Sequence, residues 1–495
     1  MSDKENREVI NKLAKGAGIT AFGMFFSKAV TYFYRAIVGR ALGPEAYGQL
    51  NIGIMIVGIA TTFSGDALRN GIKKFIPEYR EADDLASIKG TVISALELNL
   101  IGAIIVSGTV FLSAEFIAVN IFHNTDLIPI IKVMGLVPLI ERPYDILIDT
   151  TLAYNEAKYQ VISTNIIQNL VQLATTVLLI TFLSYGVMGA VWGWVAGVVL
   201  TLPLAFYFVE KKIGPIITSK VKAKKNRKEL FKFSYPLMLS GMVGIFLGWT
   251  DTAFLGYFMD DTAVGLYNAA FPTALLLMIP LQAIGQLSLP SMSEIKAKDK
   301  SQKEILKTTS RWATALTFPT FLLMALFSSE LLILLFGRQY ETAGIVLTIL
   351  AFGNLINSST GYVNDILKSN GFTRTILYIN VANLIANVIL NILLIPRYGI
   401  NGAAIATASS TIILNILLLI QAYRYEKIHP FSRKMIYSVI AGAASLAITY
   451  LVFKQIFTAT PYWALIPAGI LFYLVYIIVF IRIGGLTDYD RQIII

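Results

Sequence analysis

"RAIVGRALGPEAYGQLNIGI", residues 35–54, ends one apolar run with two arginines, turns at Gly43-Pro44, and begins a second apolar run. Proline cannot continue a helical hydrogen-bond ladder and glycine accepts the turn, so the stretch dictates two apolar helices joined tightly. The surrounding chain repeats that design. Of 495 residues, 56% are hydrophobic and 14% charged, which is too apolar for the protein's own surface to dissolve it. The reading is an all-α integral membrane protein.

Apolar intervals of roughly 20 residues fall at 17–38, 48–68, 91–113, 127–151, 161–183, 188–208, 234–257, 265–288, 312–335, 343–366, 375–395, 400–421, 436–456 and 462–483, predicting about fourteen transmembrane helices. An even number places both termini on one side. About 33 of the 41 basic residues then lie on that side; Arg40, Arg338, Arg397 and Lys454 lie opposite, and Lys28, Arg35, Lys132 and Arg142 within spans. Both termini are expected in the cytoplasm of a cell (inner or plasma) membrane protein. "MSDKENREVINKLAKG" at the start is charged for too long to be a signal-peptide n-region and is expected to be retained.

The opening phrase recurs. "LGPEAYGQLN" (42–51) falls on "MDDTAVGLYN" (259–268), matching Gly48 with Gly265 and Asn51 with Asn268. "YGVMGA" (185–190) falls on "YGINGA" (398–403), and Gly189, Gly193 and Gly197 on Gly402, Ala406 and Ser410. Small residues at every fourth position let helix backbones approach closely in lipid. The repeat is six spans long, so its copies share one orientation and are related by an axis along the membrane normal. The expected domains are a six-helix lobe at 1–209, a basic cytoplasmic linker at 210–233, a second lobe at 234–430, and two extra helices with a tail at 431–495.

Composition also excludes. There is no cysteine, and His123 and His429 lie far apart, which leaves no histidine or thiolate metal cluster. No phosphate-loop motif occurs, no cofactor is implied, and the longest extramembrane segment, about 20 residues, has no room for a catalytic domain. The densest basic run, "EKKIGPIITSKVKAKKNRKEL" (210–230), lies between two spans and reads as topology and anionic-lipid contact, with no nucleic-acid partner. A transporter, with no enzymatic activity, is the natural class.

"GRALGPEAYGQLN" (39–51), "FSGDALRNGIKKFIPEY" (63–79) and "TDTAFLGYFMDDTAVGLYNAAFP" (250–272) together resemble the polysaccharide-biosynthesis flippases of the multidrug/oligosaccharidyl-lipid/polysaccharide exporter superfamily. The resemblance covers essentially the whole chain. It implies alternating access, with inward-open and outward-open states and a cleft lined mainly by spans 1, 2, 7 and 8. It also implies a substrate made of an oligosaccharide on a polyprenyl phosphate or diphosphate, moved from the cytoplasmic to the external leaflet for surface polysaccharide or glycoprotein assembly. Membrane lipids and glycan-assembly proteins would be partners, with H+ or Na+ as a candidate coupling ion. The rival within the superfamily is an ion-coupled exporter of small, often cationic compounds; the two extra helices favour the flippase branch.

Charge at the bilayer centre costs about 2.5–3.5 kcal/mol per residue, so each case asks for a partner or a role. Lys28, Tyr32 and Arg35 share a face of span 1 and read as a basic strip, the cations for a phosphate and the ring for a sugar. Arg69, near the cytoplasmic end of span 2, either guides a phosphate inward or anchors at the interface beside Lys73 and Lys74. On span 4, Arg142 and Asp145 are three apart and can pair; as a lumen-facing charge they could instead serve gating or ion coupling, and Glu97 of span 3 is an alternative partner. Asp251 in "GWTDTAF" falls by the repeat opposite Tyr34 and is expected to pair with Arg35 in one state and release it in another. Gln282 and Gln286 share a face of span 8 where amides could meet sugar hydroxyls. Asn380, Asn383, Asn387 and Asn391 form a stripe on span 11 that reads as structural.

Overall fold

The computed structural model describes residues 3–285, 302–456 and 465–485, and its described residues are nearly all helical. Helical segments lie under every predicted interval, within the described residues. Eight described helices are long and apolar enough to cross a membrane, or ten if two bent pairs each count as one span. Two of the eight are themselves interrupted: Phe25–Phe63 at Gly43 and Thr373–Glu426 at Gly399. Gly43 has φ 78° and Gly399 φ 56°, backbone that only glycine adopts without strain, so the glycines set the breaks. Pro44 and Pro396 lie beside them.

Spans 4 and 9 are among the described spans that are less regular than the hydropathy suggested. Span 4 is divided into Leu127–Gly135 and Pro138–Ala153, and span 9 bends by 80° between Lys303–Leu326 and Ser328–Phe336.

The chain forms two compact units, Met1–Gly265 and Leu266–Ile495. In the first, a helix the hydropathy did not announce, Leu68–Glu81, follows a break at Gly65 (φ 108°). It is amphipathic: Leu68, Ile72, Phe75 and Ile76 bury one face against Tyr144, Ile146, Leu147 and Ile148 of Pro138–Ala153 and Leu230 of Arg227–Phe258. This core holds the C-terminal end of span 2 in register with span 4. Gly193 and Gly197 of Gly186–Tyr207 pack against Thr176, Gln172 and Gln168 of the Lys158–Phe182 span, at distances that leave a Cβ no room. The small-residue run is therefore a packing device, as its spacing indicated.

The repeat has a structural signature. A Cβ on Gly48 would fall on the carbonyl of Asp261, and a Cβ on Gly265 on the carbonyl of Pro44. Gly48 matches Gly265 and Pro44 matches Asp261 at one offset, so the two phrases pack reciprocally, the hallmark of a two-fold contact. Likewise Gly186 has φ 55° and its counterpart Gly399 φ 56°.

The basic stretch after Ile213 is docked. Glu210 accepts the Ile217 amide at 2.7 Å and bonds Thr218; the Lys224 amide donates to the Ala86 carbonyl at 2.9 Å, and Lys89 reaches Ser219 at 2.5 Å. Lys225 and Arg227 both take Glu97 at 2.5 Å. Glu97 is thus no partner of Arg142; it lies toward the linker and is satisfied there.

In the second unit, Asn387 donates to Thr407 at 3.2 Å and Ser410 at 3.3 Å, and Asn391 donates to Asn387 at 3.1 Å. The asparagine stripe ties the two halves of Thr373–Glu426 across Gly399, the structural role expected of amides in lipid.

Candidate functional site

Two polar sites stand out among the described residues of the first unit. One is a charge cluster where Leu68–Glu81 meets Pro138–Ala153. Arg142 binds Asp66 at 2.6 Å and Asp145 at 2.6 Å. Arg69 forks onto Asp149 at 2.7 and 3.3 Å and reaches Asp145 at 3.3 Å, while Lys73 approaches Asp149 at 3.5 Å. Asp149 is 0% exposed, Arg142 4% and Asp145 6%. Three cations thus meet three aspartates, Arg69 on Asp149 in fork geometry, an arrangement that makes buried charge tolerable. Glu141, next to Arg142, adds a fourth acid whose Oε2 is buried without a hydrogen-bond partner among the described residues.

The second site is a chamber of about 140 Å³. Its walls come from the first helix on both sides of Gly43, from the π-helical stretch Val161–Gln168 and its continuation Asn169–Val177, and from Gly186–Tyr207. π-Helical turns are rare and concentrate at functional sites. Tyr144 bonds Ser163 and Thr164 on that stretch, and Asn169 donates to Ser27 at 2.9 Å. The Asn169–Ser27 bond fixes two walls to one another, and Tyr144 ties one of them to Pro138–Ala153.

Arg35 enters this chamber, half-buried, together with Thr31 and Tyr34. Asn51 is fully buried beside it; its Nδ2 donates to the Tyr47 carbonyl at 2.7 Å, and its Oδ1 has no hydrogen-bond partner among the described residues. The Trp194 indole N–H also lacks one. Gln168 and Gln172 complete the polar wall. Among the described lining residues there is no carboxylate. A lone guanidinium among hydroxyls and amides favours an anion and offers no charge to hold a cation.

The structure brings together Arg35 alone of the residues expected to bind substrate. Lys28 is exposed and Tyr32 half-buried, and neither lines the chamber. Arg69, Arg142 and Asp145 are joined in the charge cluster. Asp251 is 5% exposed on Arg227–Phe258, matching the 4% of its repeat counterpart Tyr34. Gln282 is exposed on Ile279–Gly285, and Gln286 lies outside the described residues.

Residues the sequence reading overlooked are Asn51, Gln168, Gln172 and Trp194. A signal was present: Asn165, Gln168, Asn169 and Gln172 repeat at helical spacing, the same pattern that was noticed on span 11.

Comparison with known proteins sets this geometry in a family. Residues 236–393 match the MatE model. Agl15 of Haloferax volcanii, described as a probable low-salt glycan biosynthesis flippase, is 29% identical over 225 residues, covering 45% of this chain and 46% of that protein. The membrane protein MJ1068 of Methanocaldococcus jannaschii is 25% identical over 456 residues, 88% of this chain and 89% of its own. The lipid II flippase MurJ, in its inward closed conformation, has the same fold: TM-score 0.76 at 16% identity, covering 96% of this chain and 99% of that one. Residues 13–296, more than half of the sequence, match the model for polysaccharide biosynthesis proteins, and the chain belongs to that family.

Proposed function

We propose that the protein is a flippase, with no enzymatic activity, that moves a polyprenyl-phosphate- or diphosphate-linked oligosaccharide from the cytoplasmic to the external leaflet by alternating access. The observation that carries this reading is Arg35, a membrane-embedded guanidinium facing a polar chamber whose described lining holds no carboxylate. Such a cation is costly in lipid unless it meets an anion, and a lipid-linked phosphate supplies one. Family membership and the MurJ-like fold support the same assignment.

In this scheme Lys28, Tyr32 and Arg35 receive the phosphate and its first sugar, and the Gln282 and Gln286 amides serve sugar hydroxyls. Asp251 pairs with Arg35 in one state and frees it in the other, and an H+ or Na+ gradient biases the exchange. The Arg69–Arg142–Asp145 cluster, expected from its sequence to serve gating or ion coupling, clamps span 2 to span 4 through its own ion pairs. Lobes at 1–209 and 234–430, with both termini cytoplasmic and glycan-assembly proteins as partners, complete the scheme.

The rival reading, an ion-coupled exporter of small cationic compounds, is disfavoured by the same chamber, since a ligand cation would be buried beside Arg35 with no counter-charge in the described lining. The test is reconstitution in liposomes carrying a polyprenyl-linked oligosaccharide, with exposure read by an impermeant glycan-modifying enzyme. Exposure above empty liposomes supports the flippase. Its absence across several glycan lipids, with folded protein and both ion gradients supplied, overturns it.

A further inference from the structure

The donors and acceptors of the chamber say more about its ligand than its charge does. Arg35 and the Trp194 N–H are donors only, and each calls for an acceptor. Asn51 is the opposite case. One of its two amide N–H bonds goes to the Tyr47 carbonyl, and its Oδ1, an acceptor, is fully buried and without a partner among the described residues. A halide or a fully deprotonated oxyanion satisfies Arg35 and Trp194 but leaves Asn51 Oδ1 unmet, at the cost of a buried unsatisfied polar group. A neutral sugar satisfies Asn51 but leaves the guanidinium without a counter-charge.

We propose that the chamber is a binding site for an oxyanion that still bears a hydroxyl, a hydrogen phosphate or a phosphate monoester with a neighbouring sugar hydroxyl. The anionic oxygens lie on Arg35 and the Trp194 N–H, and the hydroxyl donates to Asn51 Oδ1. The size suits this ligand: an engineered cavity of about 150 Å³ admits a six-membered ring, and this one measures about 140 Å³. Polar walls from three helical elements hold the groups in place, with Gln168 and Gln172 among the lining residues. That the natural source is the headgroup of a lipid-linked glycan rests on the flippase reading; the binding chemistry does not.

Inorganic phosphate and sulfate separate the two requirements, because phosphate at neutral pH keeps a hydroxyl and sulfate has none. The full chain in nanodiscs of uncharged phosphatidylcholine is titrated calorimetrically with each anion in a chloride-free buffer. Phosphate is expected to bind at least about fivefold more tightly than sulfate, the worth of one hydrogen bond to a buried acceptor. Arg35→Gln should weaken phosphate binding by about tenfold or more. Asn51→Leu should abolish the preference for phosphate over sulfate while sparing sulfate binding. Trp194→Phe, a milder change that removes only the N–H, should weaken both anions alike, and it serves if the buried Asn51 variant does not fold.

Sulfate binding as tightly as phosphate, phosphate binding unchanged in Arg35→Gln, or no binding of either anion by folded protein overturns the proposal. Competition by a short-chain polyprenyl phosphate would assign the site to the carrier lipid, and its failure to displace inorganic phosphate would assign it to the free anion; bound phosphate with these variant effects supports the site in both arms. Glycan-lipid exposure is measured on the same preparations. Anion binding without exposure counts against the flippase alone, and exposure without anion binding against the chamber alone.

Discussion

The charge cluster and the chamber lie in one unit and both contain arginine, yet their arginines do opposite things. Arg69 and Arg142 are tied by short bonds to three aspartates, and Arg142 and Asp149 are almost wholly removed from solvent. Arg35 stands half-buried in a chamber whose described lining holds no acid. A guanidinium with its forks filled by carboxylates has little capacity for a ligand phosphate, whereas one surrounded by neutral polar groups has most of it. Intramembrane arginine is therefore a poor guide to function until its neighbours are known.

The harshest way to break the chamber half of this contrast is Gly48→Val. The new Cβ meets a backbone carbonyl, which cannot move aside as a side chain would, and the segment carrying Tyr47 and Asn51 must shift. A loss above about 4 kcal/mol is expected, seen as little or no monodisperse protein in fluorescence-detected size exclusion. Gly265→Val should match it, because the contact is reciprocal.

The cluster should answer next. Arg142→Ala removes the 2.6 Å partner of both Asp66 and Asp145, leaving buried Asp145 with Arg69 at 3.3 Å, and should cost about 3 kcal/mol, read as a lowered melting temperature in detergent. The double change Arg69→Met/Asp149→Leu removes a cation and an anion together and should recover most of what Asp149→Leu alone loses; if it does not, the cluster is no closed ion network.

Arg35→Gln should separate the two sites. Stability within about 1 kcal/mol of the wild type is expected, since no carboxylate is stranded, together with a loss of glycan-lipid exposure of about tenfold or more. The smallest effect belongs to Glu97→Gln on the linker. Its partners are exposed, so less than about 1 kcal/mol is expected, shrinking further in high salt.

Sequence carried the fold further than it carried the site. Hydropathy and the Gly43-Pro44 pair located the helices because lipid tolerates few alternatives to an apolar helix with satisfied backbone. The repeat was legible because Gly48 and Gly265 are held to glycine by mutual contact. The Leu68–Glu81 helix escaped a hydropathy reading because an amphipathic helix averages its apolar and basic faces away.

Residues of the site were harder to read because their roles depend on helices distant in sequence. Arg69 reads as a phosphate guide or an interfacial anchor beside Lys73 and Lys74, and nothing local to it points to Asp149, which lies eighty positions on. The Arg142–Asp145 pair was readable because it sits within one helix. Lys28, Tyr32 and Arg35 share a helical face by spacing, but the chamber admits Arg35 with Thr31 and Tyr34 instead, because its walls are set by the helices that pack against span 1.

The central claim is that Arg35 holds the anionic end of the translocated lipid, while the cluster arginines hold the fold. The most direct measurement is glycan-lipid exposure in liposomes for the wild type, Arg35→Gln and the Arg69→Met/Asp149→Leu pair, each normalised to folded protein. Wild-type exposure that is lost in Arg35→Gln and largely kept in the cluster pair is the predicted result. Exposure retained in Arg35→Gln and lost in the folded cluster pair would contradict it and move the substrate's phosphate to the cluster.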